Sequence, residues 1–183
     1  MRARNGETFF CSSFHSPVGD LTAVVSAQGV VALHFGQAAP PHLELIESAE
    51  ETAACRQQLE EYFTGQRTRF NVPLDLRGTP FQKLCWQALL EIPYGETRSY
   101  AEIARFIGRP RACRAVGLAN HDNPVVIIVP CHRVIGSDGR LTGYGGGLDV
   151  KRRLLDFERQ HSSAGVSNAT APGLLLWAEA ERE

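Results

Sequence analysis

The chain has 183 residues, 43% hydrophobic and 21% charged, a composition that supports one good core or two small ones and excludes disorder on the large scale. No segment supplies the roughly 18–20 consecutive apolar residues of a membrane span, and the basic start Met1-Arg2-Ala3-Arg4 runs into Asn5-Gly6-Glu7, so a cytoplasmic protein without membrane association is expected. The formal net charge of −1 hides an asymmetry: residues 79–160 carry 12 Lys and Arg against 8 Asp and Glu, the remainder 7 against 12, which is weak evidence for a polyanionic partner and equally well a solvated face.

From Gly19 to Phe35 apolar residues alternate around Ala27-Gln28-Gly29, predicting a hairpin with one covered face. Cys55, Leu59, Tyr62 and Phe63 recur at helical spacing between Glu50 and Phe63, with Gly65 as a stop. Residues 66–78, with Pro73 and Gly78, read as a further strand and a connector, which places a domain boundary there and predicts domains over 1–77 and 78–160.

The second domain opens on Thr79-Pro80-Phe81-Gln82, a capping box with Pro at the first helical position. Phe81, Leu84, Cys85, Ala88, Leu89 and Ile92 then form one stripe, so Cys85 reads as core. Pro93-Tyr94-Gly95 ends that helix. Ser99-Tyr100-Ala101-Glu102 repeats the capping signal and starts a helix with Ile103, Phe106 and Ile107 inward, broken by Gly108-Arg109-Pro110. A third helix, from Pro110 to about His121, turns Ala112, Cys113, Val116 and Ala119 to the core and leaves Arg111, Arg114, Leu118 and His121 outside, with Gly117 beside that outer face. Two short helices joined by a tight turn form the helix-turn-helix pattern, whose second helix contacts DNA.

Asn123-Pro124 leads into the β-branched run Val125–Val129, predicted as a buried strand that ends on Pro130-Cys131-His132-Arg133-Val134. Gly136-Ser137-Asp138-Gly139 is a turn, and Gly143-Tyr144-Gly145-Gly146-Gly147 lacks both GxGxxG and a P-loop lysine, so it reads as a pocket wall, not a phosphate cradle. Asp149 is placed as the cap of a last helix with Val150, Leu154 and Glu158 on one row. Glu158 on that row either meets an arginine such as Arg153 or Arg159 or orients a catalytic imidazole. Residues 161–183 read as a flexible extension in which Leu174–Trp177 docks weakly or stays loose.

The five cysteines, Cys11, Cys55, Cys85, Cys113 and Cys131, have no CxxC spacing, so free thiols are expected, and His15, His34 and Cys11 give no ligand pattern; neither metal nor cofactor is predicted. Cys131 is the chemically suggestive thiol. Free thiols have a pKa of roughly 8.5, so reactivity needs a proton acceptor or cation nearby. His132 is the candidate, yet neighbours on extended backbone point apart, so a bridging water is expected between them.

The stretch from Gly78 to Glu158 closely resembles the O6-alkylguanine-DNA alkyltransferases. The resemblance runs through Gly78-Thr79-Pro80-Phe81-Gln82, Trp86, Ile92-Pro93-Tyr94-Gly95, Ser99-Tyr100, Arg114-Ala115-Val116-Gly117, Asn123-Pro124, Pro130-Cys131-His132-Arg133-Val134, Gly143-Tyr144 and Leu154-Leu155 with Glu158. It implies an α/β (α+β) fold: an N-terminal ribonuclease-H-like sheet-plus-helix domain and a mostly helical C-terminal domain with a winged-helix-like helix-turn-helix. It also implies a monomer that takes an alkyl group from O6-alkylguanine in double-stranded DNA irreversibly onto its own cysteine. By resemblance Cys131 is the acceptor, His132 takes its proton through water, Glu158 orients His132 and Asn123 braces the Cys-bearing turn.

The family extrudes the base, at a cost of a few kcal/mol, and binds the minor groove, which carries little sequence information. By resemblance Arg114 fills the vacated stack, Tyr100 crowds the phosphate and faces the base, Arg111 and Gly117 lie on the DNA-facing side, and Val134, Tyr144 and Gly145 shape the pocket. Gly145 stands where some relatives have a polar residue, and Asp122 puts an acid near the DNA-facing helix end. The rival readings are an alkyltransferase-like lesion binder without transfer, which would lack Cys131, a cysteine hydrolase, whose signatures are absent, and a transcription regulator, in which the Cys-His block would be idle.

Overall fold

The computed structural model describes residues 6–37 and 44–162. The described residues form two compact units: those up to Gly78 with the returning segment Pro124–Ile128, and Thr79–Asn123 with Val129–Ser162.

The first unit is built on β1 (Phe9–Ser16), β2 (Gly19–Ser26), β3 (Gly29–Phe35) and β4 (Leu45–Glu47), in sheet order β3-β2-β1-β4. The predicted hairpin is β2–β3, and β1 extends it antiparallel while β4 runs parallel to β1. Strand β1 is not legible from apolar alternation, because two of its buried positions are serines. Ser12 is satisfied by Thr52, Oγ to Oγ1 at 2.5 Å. Helix α1 (Ala53–Phe63) buries Cys55, Leu59 and Tyr62.

Residues 66–78 do not form the predicted strand. They touch the sheet edge through one bridge, Leu74 to Val30, flanked by Val30 N–H to Pro73 O at 2.8 Å and Asp75 N–H to Val30 O at 2.9 Å. Pro73 has no N–H to continue a ladder.

The second unit comprises α2 (Pro80–Leu90), β5 (Arg98–Ser99), α3 (Tyr100–Phe106), α4 (Cys113–His121), a 3₁₀ turn (Cys131–Arg133), β6 (Val134–Ile135) and α5 (Leu148–Ser162). β5 and β6 pair in parallel. Both capping boxes form: the Thr79 and Ser99 hydroxyls accept from the N–H groups of Gln82 and Glu102, whose side chains return to the cap N–H groups. On α2 the buried face carries Trp86, not Leu84, which is exposed; the indole N–H donates to Ala119 O at 2.8 Å and ties α2 to α4. The predicted third helix starts three residues late, since Arg109–Ala112 is a turn closed by Ala112 N–H to Arg109 O. Helix α5 begins at Leu148, so Asp149 lies in its first turn instead of capping it, and its buried residues are Lys151, Leu154, Leu155 and Glu158, with Val150 half-buried.

The run Val125–Val129 is buried throughout but is not a strand. Val125 makes a single bridge to Leu33. Ile127 then adopts φ +70°, and Ile128 N–H bonds Val126 O at 2.8 Å, closing a γ-turn. A positive φ in a β-branched residue is strained and persists only where packing enforces it; Ile127 is wholly buried. A continuous apolar run has no periodicity from which this bend could be read. The expectations for residues 163–183 lie outside the described residues, among which no helix is long and apolar enough to cross a membrane.

Candidate active site

Cys131 follows a second γ-turn, centred on Pro130 (φ −83°, ψ 61°) and closed by Cys131 N–H to Val129 O at 2.8 Å. The Asn123 side-chain N–H group holds this bend, donating to Val129 O at 2.8 Å and to Cys131 Sγ at 3.0 Å. Cys131 is only 6% exposed. Burial pushes its thiol up, opposed by the Asn123 hydrogen bond and the Lys151 charge. Cys85 is wholly buried on α2 and its thiol is pushed up to about 11 with nothing opposing, as its core reading requires.

His132 and Glu158 are fully buried. His132 Nε2 lies 2.8 Å from Glu158 Oε1, and since a carboxylate only accepts, Nε2 carries the hydrogen and Nδ1 keeps its lone pair. Nδ1 has no hydrogen-bond partner. Burial lowers the imidazole pKa, and the Glu158 charge only partly offsets this, so at neutral pH the ring is a neutral base. No direct hydrogen bond joins the ring to Sγ.

The arginine that meets Glu158 is Arg133, not Arg153 or Arg159. Its Nε donates to Oε2 at 2.8 Å, Nη2 to Oε1 at 2.9 Å and Nη1 to Ile92 O at 2.7 Å. Gly95 N–H completes the carboxylate shell, reaching Oε2 at 3.1 Å. Gly95 has φ +78°, and an added Cβ would come within 2.8 Å of Ser162, so both conformation and space call for glycine there. With His132 and Arg133 against it, Glu158 is held well below the usual carboxylate range despite its burial.

Lys151 is a buried residue beside the thiol that sequence reasoning missed. A lysine at a buried helix position reads as an exposed neighbour of the apolar row, yet its Nζ donates to Val134 O at 2.6 Å and Thr142 O at 2.9 Å. Its pKa is lowered to about 8 by burial, partly countered by Cys131. Thr142 Oγ1 in turn lies 3.0 Å from the Tyr100 hydroxyl, so the start of β6 and the residue before the glycine loop are joined by the ammonium, and the start of α3 is joined to them through the Thr142 side chain.

A pocket of about 200 Å³ opens in front of Cys131, lined by Tyr100 from α3, by Gly117, Asn120 and His121 from α4, and by Gly143, Tyr144 and Gly145 from the loop. The Tyr144 ring meets His132 edge-on at 6.3 Å, and burial raises its phenol well above the usual range. Of the predicted site residues the structure gathers Cys131, Tyr100, Gly117, Tyr144 and Gly145 at this pocket, with Asn123, His132 and Glu158 behind the thiol. Val134 is wholly buried and is not in the lining; its carbonyl is engaged by Lys151. Arg111 and Arg114 are exposed, the former in the turn before α4 and the latter on it. A Cβ at Gly117 would meet the Tyr100 ring at an ordinary 3.8 Å. Asp122 accepts from the Gln82 side chain at 3.0 Å, which occupies one oxygen of the acid at the end of α4. No group of metal-ligating side chains occurs among the described residues.

Two family models match: residues 80–160 the DNA-binding domain, and residues 9–76 the ribonuclease-like domain, of 6-O-methylguanine DNA methyltransferase. A methylated-DNA–protein-cysteine methyltransferase of Mycolicibacterium paratuberculosis is 59% identical over 128 residues, covering 70% of this chain and 78% of that protein. The protein of the same name from Methanosarcina acetivorans is 49% identical over 149 residues, covering 79% and 95%. The crystal structure of Mycobacterium tuberculosis OGT in complex with DNA superposes with a TM-score of 0.78 at 46% identity, covering 92% of this chain and 99% of that one. The mixed α/β architecture, the ordered thiol–imidazole–carboxylate array and these matches agree, and the chain belongs to the 6-O-methylguanine DNA methyltransferase family.

Proposed function

We propose that this protein is a methylated-DNA–protein-cysteine S-methyltransferase that reverses O6-alkylguanine damage in double-stranded DNA by moving the alkyl group irreversibly to Cys131. The observation that carries this reading is the buried Cys131 Sγ at the end of a pocket, backed by a neutral imidazole whose outer nitrogen keeps its lone pair.

In the resting protein the thiol is held protonated by burial and the imidazole is held neutral. That arrangement keeps a one-use nucleophile from reacting with stray electrophiles. When a flipped O6-alkylguanine fills the pocket, the Sγ proton passes through a water molecule to His132 Nδ1, and Glu158 stabilises the imidazolium through Nε2. The sulfur attacks the alkyl carbon, the carbon–O6 bond breaks with its electron pair going to O6, and the proton held by His132 returns through water to the departing base, restoring neutral guanine and neutral imidazole. The thioether formed has no route to turnover. Asn123 and Lys151 lower the cost of the transient thiolate.

The exposed α4 docks in the minor groove as a monomer, Arg114 takes the place of the extruded base, Arg111 contacts the backbone, and Tyr100 turns the nucleotide toward the pocket. Action in the cytoplasm on cellular DNA belongs to the same reading, and the five cysteines are free thiols. The test is intact-mass and peptide mass spectrometry after incubation with a duplex containing O6-methylguanine. One methyl on the Cys131 peptide per molecule, without turnover, supports the reading; Cys131→Ser binds the duplex and transfers nothing. Lesion binding with no mass gain in the unaltered protein would favour the lesion-binder alternative.

A further inference from the structure

Helix α4 presents a solvent-facing arc of Arg114, Ala115, Leu118 and His121, and the period of about 3.6 residues puts Leu118 at the middle of it. Leu118 is 62% exposed, the most open of the large apolar side chains among the described residues. It takes no part in the pocket in front of Cys131, which α4 lines with Gly117, Asn120 and His121. Nor does it serve the core, where Val116 and Ala119 supply the apolar contacts of the helix. Its neighbours are small. Ala115 and Gly117 let another surface come close to the helix backbone, so the side chains that project from the middle of α4 are Arg114 and Leu118, one turn and about 6 Å apart along the axis.

We propose that Leu118 is a further DNA-contacting residue, which packs against the deoxyribose wall of the minor groove beside the nucleotide that Arg114 displaces. This rests on the function proposed above. An α-helix is about 10 Å across with its side chains and the minor groove of B-DNA about 6 Å wide, so the residues at the crest of the docked face are the ones that reach the groove walls. Charge attracts the helix to the duplex and is screened by salt. An apolar side chain gains only where it is pressed against carbon, and the walls of the groove are deoxyribose carbon; minor-groove proteins use apolar side chains in this way. A second copy of the chain is a poorer occupant, since a two-fold contact through Leu118 would bring together the Arg114 side chains of the two copies.

The test measures binding of the unaltered protein, Leu118→Ala and Leu118→Met to duplexes with and without O6-methylguanine over a series of salt concentrations, together with transfer from free O6-benzylguanine. Leu118→Ala should bind both duplexes about tenfold more weakly, the effect of leaving roughly two methylene groups unburied. Its slope of log affinity against log salt should match that of the unaltered protein, because no phosphate contact is lost. Leu118→Met keeps the apolar bulk and should stay within about threefold of the unaltered protein. Transfer from the free base and thermal unfolding should be little changed in both variants, since Leu118 lies outside the pocket and the core. Duplex affinity of Leu118→Ala within about twofold of the unaltered protein, or an equal loss of transfer from the free base, overturns the proposal. Self-association of the unaltered protein that Leu118→Ala abolishes, at unchanged duplex affinity, overturns it as well and assigns Leu118 to a contact between copies. Absence of transfer from either substrate in the unaltered protein would instead overturn the function on which it rests.

Discussion

Arg133 grips Glu158 side-on, Nε to Oε2 and Nη2 to Oε1, so the oxygen that accepts from the His132 imidazole is shared with a guanidinium. All the stronger acceptor sites of a wholly buried carboxylate are thereby filled, and its charge is divided between two partners. That division explains why His132 stays a neutral base: burial and the Arg133 charge outweigh the pull of a carboxylate only 2.8 Å away.

Arg133→Met should therefore be severely destabilising, since it leaves a buried carboxylate without its cation. The expected loss is about 3–5 kcal/mol in urea unfolding. Arg133→Lys should recover little of it, because an ammonium cannot reproduce the planar two-point grip. A Met variant within about 1 kcal/mol of the parent would mean that the pair contributes far less than its geometry implies.

Stability should fall as the solution is acidified, in two stages. An unfolded histidine titrates near 6.5, and burial holds folded His132 below that. Below about pH 6.5 the unfolded chain thus binds a proton that the folded one refuses, so stability present above that pH is lost as pH falls through the folded value. Glu158, also depressed, adds a second loss beginning near the unfolded glutamate value of about 4.3. Urea midpoints from pH 4 to pH 8 should show the first stage in the parent and not in His132→Gln. Parallel curves for the two proteins would contradict a depressed His132.

Asn123→Ala removes the donor to both Val129 O and Cys131 Sγ. Loss of the sulfur bond raises the thiol pKa further, and loss of the carbonyl bond loosens the Pro130 bend. Transfer from free O6-benzylguanine should slow by on the order of tenfold, and its pH profile should move to higher pH. A slower rate with an unmoved profile would assign Asn123 to bracing the turn alone.

What the amino-acid order disclosed follows from where the signals are local. Both capping boxes, the hairpin and the helix-turn-helix depend on residues within a few positions of one another, and all three formed. The Glu158 row was visible by its i, i+4 spacing, but its partner, 25 residues distant in sequence, was not, and nearby arginines were the wrong candidates. Lys151 and Asn120 were passed over because polar side chains on helices ordinarily face water. Only tertiary structure reveals that Lys151 spans two carbonyls and that Asn120 faces a pocket. The bend at Ile127 is invisible to any pattern rule, since β-branched residues argue for a strand.

Arg114→Ala should separate extrusion from chemistry. Arg114 is exposed on α4 and is not in the pocket lining, so its loss should leave transfer from free O6-benzylguanine within about twofold while slowing transfer from duplex DNA by on the order of 10²-fold, the scale of a few kcal/mol for unstacking a base. Equal slowing on both substrates would contradict a role confined to the duplex.

Lys151→Met tests whether the buried ammonium acts on the sulfur or only on the loop. Its charge favours the Cys131 thiolate, and its hydrogen bonds pin the carbonyls of Val134 and Thr142. Removing it should cost about 1–3 kcal/mol of stability for each carbonyl left unpaired, less whatever is regained by no longer burying a charge. It should also slow transfer at pH 7. Folded Lys151 titrates at about 8, so the parent sheds the same charge above that pH. If the ammonium acts through its charge, the rates of parent and variant converge between pH 8 and pH 9.5; if it acts by holding the loop, the gap stays constant across that range.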